Sequence, residues 1–97
     1  MRHFHRTTLA PAVILETADG FFPTVGLVKT AGDAKSRGFA GALGAMRLTV
    51  KMEGGHYTFV EAHTDQVGES RIDKNVKKFF VAIHRRADPR HLVEAGY

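Results

Sequence analysis

An acid and an imidazole stand two residues apart in the second half of this chain, at Glu61 and His63. In an extended strand, residues i and i+2 point to the same side, roughly 7 Å apart. A carboxylate and an imidazole placed in this way could exchange a proton with a bound molecule or orient it by hydrogen bonds. Their chemistry therefore depends on which face of a sheet they share.

The pair ends a predicted β-hairpin. The first half of this hairpin alternates apolar and polar residues, which is the pattern of a half-buried strand. Its apolar members are Met46, Leu48, Val50 and Met52. Gly54-Gly55 suits a two-residue turn, because glycine adopts positive φ without strain. Closing the hairpin on these glycines pairs Leu48 with Glu61 and Met46 with His63.

The predicted apolar face therefore ends in two polar side chains. As a ligand-binding site, it would be lined by Met46, Leu48, Tyr57, Phe59, Glu61 and His63. Three interpretations stay open for the polar pair: a rim in contact with water, the polar floor of a pocket, or the acid and base of a small enzyme. A one-residue bulge would turn Glu61 and His63 to the opposite face.

Two further histidines have the same spacing on the predicted first strand. If that strand neighbours the last one in register, three imidazoles and a carboxylate could form a zinc site. The candidate metal ligands are His3, His5, Glu61 and His63. The alternative is that the N-terminal histidines are exposed strand residues. We expect no cofactor, and the chain has no cysteine for a thiolate site or a disulfide.

Positive charge concentrates near the C-terminus. The net charge is +4, and residues 71–90 alone hold seven basic residues against Asp73 and Asp88. One stripe of the predicted last helix carries the candidate anion-binding residues Arg71, Lys74, Lys78 and Arg85. This stripe could bind phosphates, and the alternative is a solvated helix face. The sequence shows no ladder of aromatic residues for stacking bases, so nucleic acid is not the favoured partner.

The remaining patterns predict the elements that position these residues. A strand leads through Ala10-Pro11 into a short helix that ends at Gly20. Two modest strands follow, at 25–31 and 34–40. Ser70 caps a long helix over 70–87, with Asp73 completing a near capping box. We predict one α+β domain over 1–97, with 88–97 as an irregular tail. Its antiparallel sheet of about four to five strands has both helices packed on one face.

This element order resembles a shortened helix-grip domain of the START and Bet v 1-like kind, grouped with the TBP-like folds. The resemblance rests on the opening strand His3 to Leu9, the Gly54-Gly55 hairpin and the helix Ser70 to Ala87. It implies small-ligand binding or, in some relatives, cyclase or hydrolase chemistry. It transfers no particular residue.

We therefore expect a non-catalytic domain that binds a small apolar ligand or another protein where the sheet meets the last helix. The alternative is anion or nucleic-acid binding by the basic stripe, and the third hypothesis is an enzyme using Glu61 and His63. An uncovered sheet face or edge favours a homodimer. Because the apolar runs are too short for a membrane span or signal peptide, we expect a cytoplasmic protein without membrane contact.

Overall fold

The computed structural model describes residues 1–88. Strand β1 (Arg2–Thr7) leads into helix α1 (Pro11–Phe21) and a short 3₁₀ turn (Phe22–Val25). Four strands follow: β2 (Leu27–Gly32), β3 (Ser36–Gly41), β4 (Gly44–Glu53) and β5 (Tyr57–Thr64). Helix α2 (Arg71–Ala87) is the last described element. Apart from Asp88, the predicted tail at 88–97 lies outside the described residues.

The five strands form one antiparallel sheet in the order β1-β5-β4-β3-β2. Because β1 pairs with β5, the first and last strands of the chain are neighbours. Both helices pack on the same side of the sheet, which we call the helix face. Within residues 1–88 no helix covers the opposite side, the outer face. The predicted α+β class, with a short first helix and a long last helix on one sheet face, is confirmed.

The core lies between the helix face and the two helices. Its buried apolar residues are Ile14, Leu15, Ala18, Phe22, Leu27, Phe39, Met46, Leu48, Val50, Val60, Ala62, Ile72, Val76, Phe79 and Ile83. At its centre the ring of Phe22 lies 4.9 Å from that of Phe39 and 5.0 Å from that of Phe79. Burying each such side chain stabilises the fold by about 1.5–3 kcal/mol, so these rings tie the 3₁₀ turn to β3 and α2.

Helix α2 begins as the sequence predicts. Asp73 Oδ2 accepts hydrogen bonds from the backbone N–H of Ser70 at 3.1 Å and from its hydroxyl at 2.8 Å. The capping box is therefore present, and Asp73 is a negative charge in the first turn, where the helix dipole favours it. Neither helix of the described chain is long and apolar enough to cross a membrane.

The predicted register of the β4–β5 hairpin is wrong by one residue. Residues 54–56 connect the strands instead of Gly54-Gly55 alone, so Glu53 pairs with Tyr57. Leu48 consequently lies opposite Ala62 and not opposite Glu61. Because side chains alternate along a strand, this shift moves every β5 side chain to the face opposite the predicted one.

Burial explains why the strands adopt this register. The predicted pairing would have put the carboxylate of Glu61 and the imidazole of His63 into the apolar core, at a large desolvation cost. The observed pairing buries Val60 and Ala62 there instead. The hydroxyl of Thr58, also buried, donates to the carbonyl of Leu9 at 2.7 Å. The apolar pattern of β5 therefore sets the register, and the turn adapts to it.

Candidate functional site

The structure divides the predicted ligand-binding residues between the two faces of the sheet. Met46 and Leu48 lie on the helix face and are 4% and 0% exposed, so they are core residues. The other four members of the set lie on the outer face: Tyr57, Phe59, Glu61 and His63. Of the six, Met46 and His63 border one open hollow of about 320 Å³ at the end of β5. Side chains of the core occupy the space between the sheet and α2.

The candidate metal ligands also face opposite ways. β1 does neighbour β5, as a shared site requires, but His3 and His5 point to the helix face while Glu61 and His63 lie on the outer face. His5 instead stacks on Phe80, with ring centroids 5.1 Å apart. In the part of the chain that the structure describes, no group of three or more His, Asp or Glu side chains is placed to hold a metal ion.

His3 has a partner that the sequence did not indicate. Its Nε2 lies 2.8 Å from Oδ1 of Asp73, which also accepts from the Thr64 hydroxyl at 2.8 Å. Burial raises the pKa of Asp73, but the hydrogen bonds from His3, Ser70 and Thr64 outweigh it and lower the pKa to about 2. Both oxygens of this carboxylate are engaged, so Asp73 joins β1, β5 and the start of α2.

The outer face carries an exposed stack of aromatic side chains. The rings of Phe4 on β1 and Phe59 on β5 stack, with centroids 5.5 Å apart and planes 22° from parallel. Arg6 places its guanidinium 4.8 Å from the centroid of the Phe59 ring, a cation–π distance. Phe4 is 54% exposed and Tyr57 is 52% exposed. We call Phe4, Arg6, Tyr57 and Phe59 the aromatic platform.

Basic side chains lie on both sides of the aromatic platform. The strand registers align two rows across β1, β5 and β4. The first row is Arg2, His63 and Arg47, and the second is Arg6, Phe59 and Lys51. Since neighbouring strands are about 4.8 Å apart, each row spans about 10 Å. The sheet therefore presents cations and aromatic rings on one surface.

Two of these cations neutralise the acids of the same face. Arg2 lies 3.5 Å from a carboxylate oxygen of Glu61, and Arg6 lies 2.9 Å from one of Glu53. Within residues 1–88, Arg47 and Lys51 have no acidic group in salt-bridge range. Both border a surface hollow of about 850 Å³ beside residues 33–36. Asp33 borders the same hollow, and its hydrogen bonds with Lys35 and Ser36 and, to a smaller extent, the charge of Arg47 lower its pKa. The outer face of the described chain therefore keeps two cations outside any salt bridge, with Asp33 near Arg47.

The predicted anion-binding stripe lies on the other side of the domain, on the exposed flank of α2. Arg71, Lys74 and Lys78 line one hollow of about 310 Å³. Lys78 and Arg85 line a second hollow of about 410 Å³. The structure thus places all four predicted cations around two hollows that share Lys78, on the flank of α2 away from the outer face.

Comparisons with models of protein families, with curated proteins and with solved structures found no match to this chain. A function is therefore inferred from the geometry of the chain. The aromatic platform was missed in the sequence because the assumed turn placed Tyr57 and Phe59 on the core side. The signal that could have found it is the series Thr58, Val60, Ala62 and Thr64, which is small and uncharged enough to enter a core.

Proposed function

We propose that this domain binds single-stranded nucleic acid on the outer face of its sheet. The observation that carries the proposal is the exposed Phe4–Phe59 stack with Arg6 against it, set among basic side chains. Each base offers a flat π-face, and stacking on an aromatic side chain contributes about 1–3 kcal/mol per base. The neighbouring Arg and Lys side chains suit the phosphates.

Phe4 is the position at which we expect the first base to stack. Phe59 already contacts a ring and a guanidinium, whereas more than half of Phe4 is exposed. A base on Phe4 would extend an existing stack without displacing any core side chain. Tyr57, two residues from Phe59 along β5, offers a second exposed ring for a neighbouring base.

Single strands suit this surface better than duplexes. In a duplex the base faces are already stacked on each other, so the aromatic platform would have nothing to contact. Arg47 and Lys51, which form no salt bridge within residues 1–88, are placed to contact the backbone. Recognition by stacking and charge tolerates many sequences, and it weakens as salt rises because phosphate contacts release counterions.

This proposal keeps nucleic acid as a partner but moves it from α2 to the sheet. The objection raised by the sequence was the lack of an aromatic ladder, and the observed register supplies one by turning Tyr57 and Phe59 outward. The small-ligand and enzyme hypotheses stay predictions. The residues of the predicted small-ligand site are divided between the two faces of the sheet. For the enzyme hypothesis, Glu61 already forms a salt bridge with Arg2. A cytoplasmic location belongs to the same proposal.

A second copy of the chain is the rival occupant of the outer face. Two such faces packed together would bury the exposed rings, but they would also bring positive charge against positive charge. We therefore favour a polyanion over a face-to-face homodimer. If a dimer forms through this face, binding of single strands and dimerisation will compete, and sedimentation with and without oligonucleotide will show it.

The proposal is tested by fluorescence anisotropy with labelled oligothymidine, a mixed-sequence single strand and the matching duplex. We expect both single strands to bind more tightly than the duplex. Phe4→Ala should weaken single-strand binding by about 5- to 150-fold, the loss of one stacked base. Arg47→Gln should reduce the salt slope by about 0.7. Val28→Ala, an exposed apolar side chain at the far edge of the sheet, is the matched control and should change nothing.

Two results would contradict the proposal. One is no binding of either single strand at low salt. The other is unchanged binding by Phe4→Ala together with lost binding by Lys78→Gln, because that result would place nucleic acid on the flank of α2.

A further inference from the structure

We infer that the exposed flank of α2 binds an amphipathic anion, a single molecule with an alkyl chain that ends in a phosphate or carboxylate. The site consists of the two hollows that share Lys78. It lies on the opposite side of the domain from the outer face. The inference does not depend on nucleic-acid binding by the sheet.

The first hollow would bind the anionic group of the ligand. Arg71, Lys74 and Lys78 converge on it, between the 3₁₀ turn at Val25 and the β3–β4 turn at Leu43. None of these three cations has an acidic group in salt-bridge range among the described residues. Like charges gathered around one hollow repel each other, and a bound anion would relieve that repulsion.

Neighbouring cations on the same helix are neutralised. Lys77 lies 2.8 Å from a carboxylate oxygen of Glu69, and Arg86 lies 3.3 Å from one of Glu16. The hydrogen bond from Lys77 lowers the pKa of Glu69 most, followed by the charge of Lys77 and, to a smaller extent, the charge of Lys74. The acids of this region therefore serve other cations, and the hollow keeps its positive charge.

The second hollow is the apolar end of the site. It is lined by Phe21, Val81 and Ala82, with Lys78 and Arg85 at its borders. Val81 is an apolar side chain in the basic stripe, where a purely solvated helix face would carry a polar one. Its position one turn beyond Lys78 places apolar surface next to the cations, at about 4.5 Å along the helix axis.

The two ends together specify the ligand. Positions 71, 74, 78, 81 and 85 follow one stripe of the helix, about 21 Å long. A free phosphate would fill the cationic hollow and leave the apolar hollow empty, whereas an alkyl group alone would leave the cations without a counter-charge. A molecule with an anionic group and an alkyl chain matches the order of cationic and apolar residues along the helix.

The test is a titration of the isotope-labelled chain with octyl phosphate, followed through the amide resonances of α2. Inorganic phosphate and octanol are titrated in parallel. We expect octyl phosphate to give saturable shifts at 71–85 and to bind at least about ten-fold more tightly than either fragment. Lys78→Gln should weaken octyl phosphate binding by about ten-fold. The double variant Lys77→Gln/Glu69→Gln, which removes the adjacent lysine together with the acid that holds it, is the matched control and should leave octyl phosphate binding unchanged.

Val81→Ser separates the two ends of the site. It should weaken binding of octyl phosphate several-fold while leaving inorganic phosphate unaffected. Lys78→Gln should bind oligothymidine like the parent chain, which distinguishes this site from the one on the sheet.

Three results would overturn the inference. They are the absence of saturable shifts with octyl phosphate, equal losses from the double control variant and Lys78→Gln, and inorganic phosphate binding as tightly as octyl phosphate. Capture by vesicles of equal parts phosphatidylcholine and phosphatidylglycerol, without binding of octyl phosphate, would also overturn it in favour of a membrane surface.

Discussion

The two faces of the sheet are made from alternate residues of the same strands, yet they have different roles. On β5, the helix face takes Val60 and Ala62 into the core, both 0% exposed. The outer face takes Tyr57 and Phe59, which join Phe4 and Arg6 in the aromatic platform. A strand of period two can therefore carry stability on one side and recognition on the other. A shift of one residue would exchange the two roles.

Removing a ring from each face is the strongest way to break this comparison. Phe79→Ala deletes a fully buried ring and should lower the free energy of unfolding by about 3–5 kcal/mol. Phe4→Ala deletes an exposed ring and should lower it by less than about 1 kcal/mol. Urea unfolding measures both. Similar losses from the two variants would mean that the outer face is part of the core.

Removing a carboxylate from each face should have a smaller effect. Asp73→Asn leaves four donors, on the His3 ring, the Thr64 hydroxyl and the backbone and hydroxyl of Ser70, competing for one amide oxygen. It should cost about 2–3 kcal/mol. Glu61→Gln breaks a partly exposed pair with Arg2 and should cost less than about 1 kcal/mol. Thermal unfolding of the two variants compares them. A greater loss of stability from Glu61→Gln would contradict the conclusion that Asp73 joins β1, β5 and the start of α2.

Acid should remove the stability that the Asp73 carboxylate contributes through its hydrogen bonds. The pKa of Asp73 is lowered from 3.8 to about 2 in the folded chain, so the stability contributed by its carboxylate is present above pH 3.8. It is lost as the pH falls through about 2, where the folded form also takes up the proton. Between pH 5 and pH 2 we therefore expect the stability advantage of the parent chain over Asp73→Asn to shrink. If the difference between the urea midpoints of the parent chain and Asp73→Asn stays constant across this range, the expectation is contradicted.

Shortening the β4–β5 turn should change the stability least, and it tests what sets the two faces of β5. Deleting His56 leaves Gly54-Gly55, whose φ angles of 62° and 77° already suit a two-residue turn between Glu53 and Tyr57. We expect the stability to change by less than about 1 kcal/mol, because the faces of β5 stay as they are. Backbone contacts between Val50 and Val60 should persist in NMR spectra. Contacts between Val50 and Glu61, which a retained three-residue turn would produce, would show that the turn, and not burial, sets the register.

Much of the fold follows from the sequence because its signals are local. Period-two alternation located β4, and the stripe of Ile72, Val76, Phe79 and Ile83 located α2. Ser70 and Asp73 marked the start of that helix. Each of these signals depends on residues close together in the chain.

The candidate sites could be predicted only in part, because their geometry depends on contacts between distant segments. The stripe on α2 was visible, since a helix brings its cations together by itself. The aromatic platform was not visible, because it needs Phe4 and Phe59 side by side and the β5 register correct. Asp73 was recognised as a cap, but its bond to His3, 70 residues away, has no local signal. An error of one residue in the assumed turn length was enough to reverse the predicted faces of β5.

The most direct test of the central claim is to map the contact surface of oligothymidine by NMR at low salt. If the outer face binds single strands, the ring resonances of Phe4, Tyr57 and Phe59 will shift and broaden together with the amides of Arg47 and Lys51. The amides of α2 at 71–85 will stay in place. Shifts confined to α2, or unchanged phenylalanine rings at saturating oligonucleotide, would contradict the claim.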